Sequence, residues 1–172
     1  MKKTLTIVTL ASAMLLAGCS SKEATVQKGS GEQQTTQSSE APKTNVGGIG
    51  DTVTVDKISY TVDKVELTDQ RNEYTDKDLG GTPKYVVKVS YTVKNGDDKD
   101  RTLLDTIDMY DPADKKLNRY ALYDNVLSTI DAGKNASSTY YVATNDLGKF
   151  EMNFKPNMLG NDKAKFAFEV KE

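Results

Sequence analysis

The sequence predicts an all-β fold, an immunoglobulin-like antiparallel β-sandwich of seven to eight strands, for residues 51–172. In this region apolar residues recur at every second position, which is typical of strands with one buried face and one face toward water. Turn-forming residues separate these runs at short intervals, and no run has the spacing of an amphipathic helix. A region of about 120 residues is also close to the size of an immunoglobulin-like sandwich.

The first two strands are predicted at residues 52–55 and 58–67. In the second run the apolar residues change parity between Val62 and Val65. A β-bulge at residues 63–64 would return both halves of the strand to the same face, because a bulge inserts one extra residue. The sequence therefore predicts a long, bulged second strand.

The clearest strand begins at Tyr85 and ends before the pair Asn95-Gly96. Its alternate apolar residues fall on one face, and they are Tyr85, Val87, Val89, Tyr91 and Val93. Asn-Gly is a pair that readily adopts positive φ in a tight turn. We therefore expect a hairpin turn or a sharp corner at Asn95-Gly96.

Three more strands are predicted toward the C-terminus, at residues 136–144, 150–154 and 164–170. In the first of them, Tyr140 and Val142 share one face. In the other two, large apolar residues occupy alternate positions. Together with the earlier strands they are numerous enough to form two packed sheets.

The connection between the second predicted strand and the strand at Tyr85 is unusually long. Residues 68–83 form a sixteen-residue loop, which is longer than most connections in a compact domain. Such loops either carry recognition or are mobile. We expect this one to be mobile.

The N-terminus has the layout of an export signal. Lys2 and Lys3 are followed by a mostly apolar stretch, residues 5–17, which is the order of a secretory leader. A helix over residues 5–16 would be about 18 Å long, well short of the roughly 30 Å hydrocarbon layer of a membrane. A cleaved leader is therefore favoured over a transmembrane span.

The leader ends in Leu16-Ala17-Gly18-Cys19, and Cys19 is the only cysteine of the chain. This run resembles the lipobox of bacterial lipoproteins. The resemblance implies that a signal peptidase recognises Leu16, Ala17 and Gly18, and that the Cys19 thiol carries a diacylglycerol. Two acyl chains anchor a protein almost permanently, at about 0.8 kcal/mol per buried methylene. The sequence thus predicts a protein that is lipid-anchored on the extracytoplasmic side of the cell membrane of a Gram-positive bacterium.

Between the leader and the predicted sandwich lies a polar segment. It has few apolar residues and no aromatic residue, so it buries too little surface to offset the entropy of ordering. We therefore expect three parts: a signal peptide at residues 1–18, the lipidated cysteine with a disordered tether at 19–50, and the sandwich at 51–172.

The composition disfavours several classes of function. The chain has no histidine and no tryptophan, and histidine is the commonest general base and a common transition-metal ligand. One cysteine permits neither an internal disulfide nor a zinc–thiolate site. After removal of Lys2 and Lys3 the chain has 21 basic and 25 acidic residues, so nucleic acid is not an expected partner. We expect no cofactor, no metal and no enzymatic activity.

Tyrosine and arginine cluster in one segment, which makes it the candidate binding surface. Its residues are Tyr110, Arg119, Tyr120 and Tyr123. Both residue types combine apolar area with directional hydrogen bonding and are enriched at binding hot spots. The alternative is that one or two of these tyrosines are core residues whose hydroxyl reaches solvent.

Four aspartates, Asp105, Asp108, Asp111 and Asp114, raise the question of a calcium site, since Ca²⁺ binds several carboxylate oxygens. An odd spacing in an extended strand places successive side chains on opposite faces. A solvated strand edge is therefore the favoured interpretation.

Several short runs together resemble a known family of bacterial domains. They are Gly50-Asp51-Thr52-Val53-Thr54-Val55, Tyr60-Thr61-Val62, Tyr85-Val86-Val87-Lys88-Val89, Ala132-Gly133-Lys134 and Lys149-Phe150-Glu151-Met152-Asn153-Phe154. In this order they are similar to the telokin-like domains of secreted bacterial lipoproteins, which are grouped with the mycobacterial immunoprotective extracellular protein. The resemblance implies an immunoglobulin-like sandwich and, for most members, no assigned activity.

These observations favour a non-enzymatic, lipid-anchored binding module that contacts another protein at the cell envelope. The alternative is a small-ligand or ion-binding accessory lipoprotein that hands its cargo to a transporter, with the tyrosine-rich segment as its mouth. A thermal-shift screen discriminates the two, since a bound ligand raises the melting midpoint.

Overall fold

The computed structural model describes residues 24–29, 45–103, 107–122, 129–156 and 161–172. In these residues the chain forms eleven strands and one short helix. The strands are β1 (Thr25–Gln27), β2 (Val46–Gly47), β3 (Thr52–Val55), β4 (Ile58–Thr68), β5 (Tyr85–Asn95), β6 (Arg101–Thr102), β7 (Ile107–Tyr110), β8 (Thr129–Ile130), β9 (Asn135–Thr144), β10 (Gly148–Phe154) and β11 (Ala164–Val170), and the helix is α1 (Glu73–Asp78).

Nine of these strands form two sheets that pack face to face. The first sheet has the order β1-β3-β4-β5-β9 and is antiparallel throughout. The second has the order β2-β11-β10-β7 and is antiparallel except for the parallel pair β2–β11. Strands β6 and β8 form a separate two-stranded ribbon. The predicted immunoglobulin-like antiparallel β-sandwich is therefore confirmed. Of the strands that the alternation did not reveal, β1, β2, β6 and β8 have only two or three residues, too few to show a period, and β7 has four.

Aromatic side chains join the two sheets at the centre of the core. Phe154 of β10 stacks on Tyr60 of β4, with ring centroids 4.8 Å apart. The Phe154 ring also lies 5.1 Å from the ring of Tyr91 and 5.6 Å from that of Phe166. All four side chains are at most 3% exposed. Ring contacts of this kind add to the free energy of apolar burial, so this cluster contributes strongly to sheet-on-sheet packing.

Strands β4 and β5 turn alternate apolar side chains toward the main core, as the sequence predicted. The register of β4 with β5 shifts between Val62 and Lys64, which is the predicted bulge. After the shift, Val65 and Leu67 pack against the main core. The extra residue thus keeps both halves of β4 facing the second sheet.

A two-residue hairpin joins β3 and β4. Asp56 and Lys57 both have positive φ, 49° and 67°, although neither is glycine. Positive φ at both central residues is the type I′ pattern, whose twist matches that of the flanking strands. The hairpin therefore holds two side-chain-bearing residues in the left-handed region.

The corner after β5 differs from the expected Asn-Gly turn, because neither Asn95 nor Gly96 has positive φ. Asn95 is fully buried. Its amide nitrogen donates to the carbonyl oxygens of Lys99 (2.8 Å) and Ile130 (3.0 Å), and its Oδ1 accepts from the N–H of Asp97 at 2.9 Å. A Cβ at Gly96 would lie 2.8 Å from a carbonyl oxygen of the β3–β4 turn. Side-chain hydrogen bonds and close backbone approach build this corner.

The sheets begin before Asp51, where the sequence predicted the sandwich to start. Strand β1 pairs with β3, and β2 pairs with β11. Strands of three and two residues are too short for their period to be read from the sequence, which explains why they were not predicted. Leu16, Ala17, Gly18 and Cys19 lie outside the described residues, so the lipobox and its lipid stay predictions.

Candidate functional site

The segment that holds the predicted tyrosine patch passes from one sheet to the other. Strand β7 is the edge strand of the second sheet, and residues 111–116 turn the chain back after it. The chain then runs beside β9 of the first sheet, where Arg119 bridges with Val142. The N–H of Tyr120 donates to the carbonyl oxygen of Tyr141 at 2.8 Å. This crossing places Tyr120 against the outer face of the first sheet.

Tyr120 lies in the core rather than on a binding surface. Its side chain is 0% exposed and packs with Val86 and Tyr141 in a second, smaller apolar cluster. These partners lie on the face of β5 and β9 that points away from the main core. Leu79 and Leu122 cover the cluster from outside. The alternative stated above, a core tyrosine, describes the ring of this residue, although its hydroxyl is buried as well and does not reach solvent.

The Tyr120 hydroxyl is tied to the start of α1. It accepts a hydrogen bond from the N–H of Asn72 at 2.6 Å and donates to Oδ1 of Asp76 at 2.8 Å. Burial raises the pKa of the Tyr120 hydroxyl, and the bond to Asp76 raises it further, against the opposing effect of the Asn72 backbone. The carbonyl oxygen of Ala121 accepts from Asn72 Nδ2 (3.0 Å) and from Thr75 Oγ1 (2.9 Å). Tyr120 and its neighbour therefore brace the helix.

Arg119 and Tyr110 lie in other packing environments. The Arg119 guanidinium is 5.7 Å from the centre of the Tyr140 ring, which belongs to the main core. Tyr110 ends β7 in the second sheet, opposite Glu151 of β10. Both residues are half-buried. The fourth member of the predicted patch, Tyr123, lies outside the described residues.

Helix α1 occupies the connection that the sequence predicted to be mobile. Asn72 caps it, with Oδ1 accepting from the N–H groups of Tyr74 (3.0 Å) and Thr75 (3.4 Å). Tyr74 is 72% exposed, and the Lys77 ammonium lies 5.9 Å from its ring centre. Sequence reasoning missed this site, because six residues are too few for a helical period. The available signal was Asn72 followed by Glu73, a helix start with an acidic first turn.

The aspartates that raised the question of a calcium site are used structurally. Asp108 is buried and forms ion pairs with Lys116 (2.5 Å) and Lys155 (2.6 Å). Burial acts to raise the pKa of Asp108, but the hydrogen bonds from the two lysines outweigh it and hold that pKa below its ordinary value. Asp111 is also buried, and its Oδ1 accepts two backbone N–H groups of the following turn at 2.9 Å. The expected solvated edge is thus partly buried; Asp105 lies outside the described residues.

A polar cleft of about 370 Å³ lies beside α1. It is lined by residues 79–83, 115–118 and 143–146 together with Asp111. Gly80 and Gly81 have φ values of 82° and 149°, so the wall they form needs residues without a side chain. The volume falls within the range of small-ligand sites, although the lining is more polar than most.

The described residues contain no group of three or more acidic or cysteine side chains placed to hold a metal ion. Likewise, none of the helical residues described belongs to a helix that is long and apolar enough to cross a membrane.

Solved structures of several bacterial proteins resemble the chain. A candidate lipoprotein from Bacillus subtilis, ycdA, matches with a TM-score of 0.55 and 22% identity over 66% of this chain and 37% of that protein, so the chain spans little more than a third of its length. The yjhA protein of the same organism matches with a TM-score of 0.55 and 14% identity over 73% of this chain and all of that one. MPT63, a secreted protein of Mycobacterium tuberculosis, matches at a TM-score of 0.45, 12% identity, 69% of this chain and 83% of that one.

The first two likenesses support the sandwich fold and nothing beyond it, and the third is too loose to carry an argument. No curated protein matches the chain. A family of domains, by contrast, matches residues 47–165, which is more than half of the chain and runs from the end of β2 to the start of β11. The chain therefore belongs to the family of DUF4352, a domain of unknown function.

Proposed function

We propose that this chain is a non-enzymatic binding module, lipid-anchored on the extracytoplasmic side of a bacterial membrane, and that it contacts another envelope protein through helix α1. The observation that carries the contact surface is Tyr74, a 72% exposed aromatic residue on a braced helix. The lipid anchor rests on the resemblance of Leu16-Ala17-Gly18-Cys19 to a lipobox. A telokin-like relationship is the finer family assignment that we propose alongside it.

The bracing of α1 supports this surface. Tyrosine is enriched at interface hot spots, and ordering a side chain or loop on binding lowers the affinity. Here Asn72 caps the helix, and the buried Tyr120 hydroxyl holds its first turn. Tyr74 is therefore presented on backbone that is already ordered, which favours recognition by a partner.

A non-enzymatic role is supported by the residue types present. The chain has no histidine, the commonest general base, so the cleft beside α1 is lined without one. Lys116, one of the cations in the wall of that cleft, is neutralised by the ion pair with Asp108. The side chains at hand suit recognition better than acid–base chemistry.

Site-specific photo-crosslinking tests the contact surface. A benzophenone amino acid replaces Tyr74 in cells, and a second version carries it at Lys99, an exposed position at the other end of the sandwich. We expect a protein adduct from position 74 that is absent or much weaker from position 99. Equal adducts from both positions, or none from position 74 under several activation conditions, would contradict the proposal.

The lipid anchor has its own test. Cys19→Ser removes the only thiol of the chain, so we expect an unprocessed precursor and loss of fatty-acid labelling. Normal maturation of this variant would refute lipid attachment at Cys19. The result does not depend on the crosslinking experiment, because it is read from the mass of the protein.

The cleft of about 370 Å³ supports a second candidate, a small-ligand or ion-binding accessory lipoprotein. Ligand binding raises the melting midpoint once the concentration exceeds the dissociation constant. A compound that binds in the cleft should raise the midpoint of the wild-type protein but not that of Asn118→Trp, which fills the cleft from an exposed wall position. A shift that survives this substitution would place the compound elsewhere.

A further inference from the structure

A short stretch of the predicted tether is docked on the sandwich. Strand β1 pairs antiparallel with β3, with Thr25 opposite Thr54 and Gln27 opposite Thr52. Between them, Val26 is half-buried and packs against the main core. The edge of the first sheet is thus covered by a strand that comes from the segment expected to be a tether.

The end of this docked stretch is fitted closely to the domain. A Cβ at Gly29 would lie 2.1 Å from the carbonyl oxygen of Gly50, a distance that no side chain tolerates. The Gly29 N–H donates to Oδ1 of Asp51 at 3.1 Å, and the other carboxylate oxygen of Asp51 accepts from the N–H of Gly48 at 2.8 Å. One carboxylate therefore holds both the docked stretch and the backbone that leaves β2.

Docking changes the length of chain between the predicted lipid and the folded body. From Cys19 to Ala24 there are five residue steps, which reach at most about 18 Å. If the folded body began only at Asn45, the linker from Cys19 would have a root-mean-square length of roughly 30 Å and an extended length of about 90 Å.

Docking also determines which end of the sandwich the linker from Cys19 joins. Because β1 is antiparallel to β3, Ala24 lies next to the β3–β4 turn at Asp56. Strand β4 starts at this turn, and α1 follows its far end. An eleven-residue strand is about 35 Å long, so α1 lies at the opposite end of the domain.

We propose that residues 24–29 act as a clamp that shortens the linker to the membrane to residues 19–23. The clamp holds the domain with the β3–β4 turn toward the membrane and α1 directed away from it. This inference rests on the proposed lipid anchor at Cys19. It deepens the proposed function, because it places Tyr74 at the membrane-distal end, where a partner in the envelope reaches it.

Energy transfer to the membrane tests the clamp on the full lipidated chain in phosphatidylcholine–phosphatidylglycerol liposomes with acceptor-labelled headgroups. A donor is attached through Asp98→Cys, near the β3–β4 turn, or through Asp78→Cys in α1; both positions are exposed. We expect severalfold stronger transfer from position 98 than from position 78. Gly29→Ala should reduce this difference to near unity, whereas Lys28→Ala, an exposed change in the same stretch, should preserve it.

Equal transfer from the two positions in the wild-type protein would overturn the orientation, and an unchanged ratio in Gly29→Ala would overturn the clamp. Amide exchange of residues 25–27 in the Cys19→Ser chain separates these outcomes from failure of the anchor. Slow exchange in that chain and fast exchange after Gly29→Ala support the clamp without any lipid. Protein that does not sediment with liposomes would instead refute the lipid anchor.

Discussion

Tyr120 shows how one side chain links the outer face of a sheet to a candidate recognition surface. Its ring completes the small apolar cluster with Val86 and Tyr141. Its hydroxyl meets the N–H of Asn72 and the carboxylate of Asp76, at the two ends of the first turn of α1. From the sequence alone, tyrosine suggests a binding contact. Tyr120 instead supports the candidate surface on α1 from inside the protein.

Removing this hydroxyl should loosen α1. We expect Tyr120→Phe to lower the free energy of unfolding by about 1–2 kcal/mol, because it leaves the Asn72 N–H and the Asp76 carboxylate without their buried partner. Urea denaturation measures the loss, and amide exchange in α1 should become faster. Tyr141→Phe is the matched control, since this tyrosine shares the cluster and the described residues give its hydroxyl no hydrogen bond. Equal losses in the two variants would contradict the bracing role.

The hydrogen bonds of Asp97 should make the free energy of unfolding fall at low pH. Its Oδ1 lies 2.9 Å from Lys57 Nζ, and its Oδ2 accepts from Arg101 Nε at 2.9 Å. The hydrogen bond from Lys57, with those from the Asp98 backbone and Arg101, holds the pKa of Asp97 well below its ordinary value. A carboxyl group with a lowered folded-state pKa stabilises the fold above its unfolded pKa, and this contribution is lost as the pH falls through the folded value.

We therefore expect stability to fall between about pH 4 and pH 2, and Asp97→Asn to flatten this part of the profile. Thermal melts over this pH range provide the measurement. The exposed Asp78→Asn substitution is the control for loss of one negative charge. A slope in Asp97→Asn as steep as that of the wild-type protein would show that other carboxyl groups cause the loss.

At the scale of the element, the β3–β4 hairpin holds an unusual backbone conformation. Lys57 has a φ of 67°, and the left-handed region costs a residue with a Cβ about 1–2 kcal/mol relative to the right-handed one. Glycine is the usual residue at the second position of a type I′ turn. The hairpin therefore forms because the pairing of β3 with β4 outweighs the conformational cost at Lys57.

Position 57 should accordingly prefer glycine to alanine. We expect Lys57→Gly to be more stable than Lys57→Ala by about 1 kcal/mol, the reverse of the order at ordinary strand positions. Both variants lose the ion pair with Asp97, so their difference isolates the backbone term. Denaturant midpoints of the pair provide the comparison, and alanine equal to or above glycine would rule out strain at this turn.

The elements that the sequence predicted are those long enough to show a period. The runs at residues 58–67 and 85–93 alternate over many positions, and even the bulge in the first of them was visible as a change of parity. Strands β1 and β2 and helix α1 were missed, because two or three residues cannot show alternation and six residues cannot show a helical repeat. Helix α1, the candidate contact surface, was not part of the predicted patch, since its six residues span less than two helical turns.

For the whole molecule, the tyrosines show that sequence pattern alone does not distinguish buried side chains from exposed ones. Tyr60 and Tyr91 face the main core, Tyr120 faces a second cluster, and Tyr74 faces solvent. Parity assigned the first two correctly, since they lie within long strands. The other two depend on how residues 107–122 cross between the sheets, a tertiary arrangement that no local spacing encodes.

The aromatic cluster around Phe154 should dominate the stability of the whole sandwich. Phe154 touches rings from both sheets, so its removal leaves a cavity that neither sheet can close alone. We expect Phe154→Ala to cost about 3–5 kcal/mol, a large share of the roughly 5–15 kcal/mol that stabilises a typical domain. The matched substitution Phe168→Ala removes the same atoms from a side chain that is 6% exposed, and it should cost less. Urea titrations at a common temperature give both values, with an unchanged slope if unfolding stays cooperative. If Phe168→Ala proved the more damaging of the two, the cluster at Phe154 would not be the junction that holds the two sheets together.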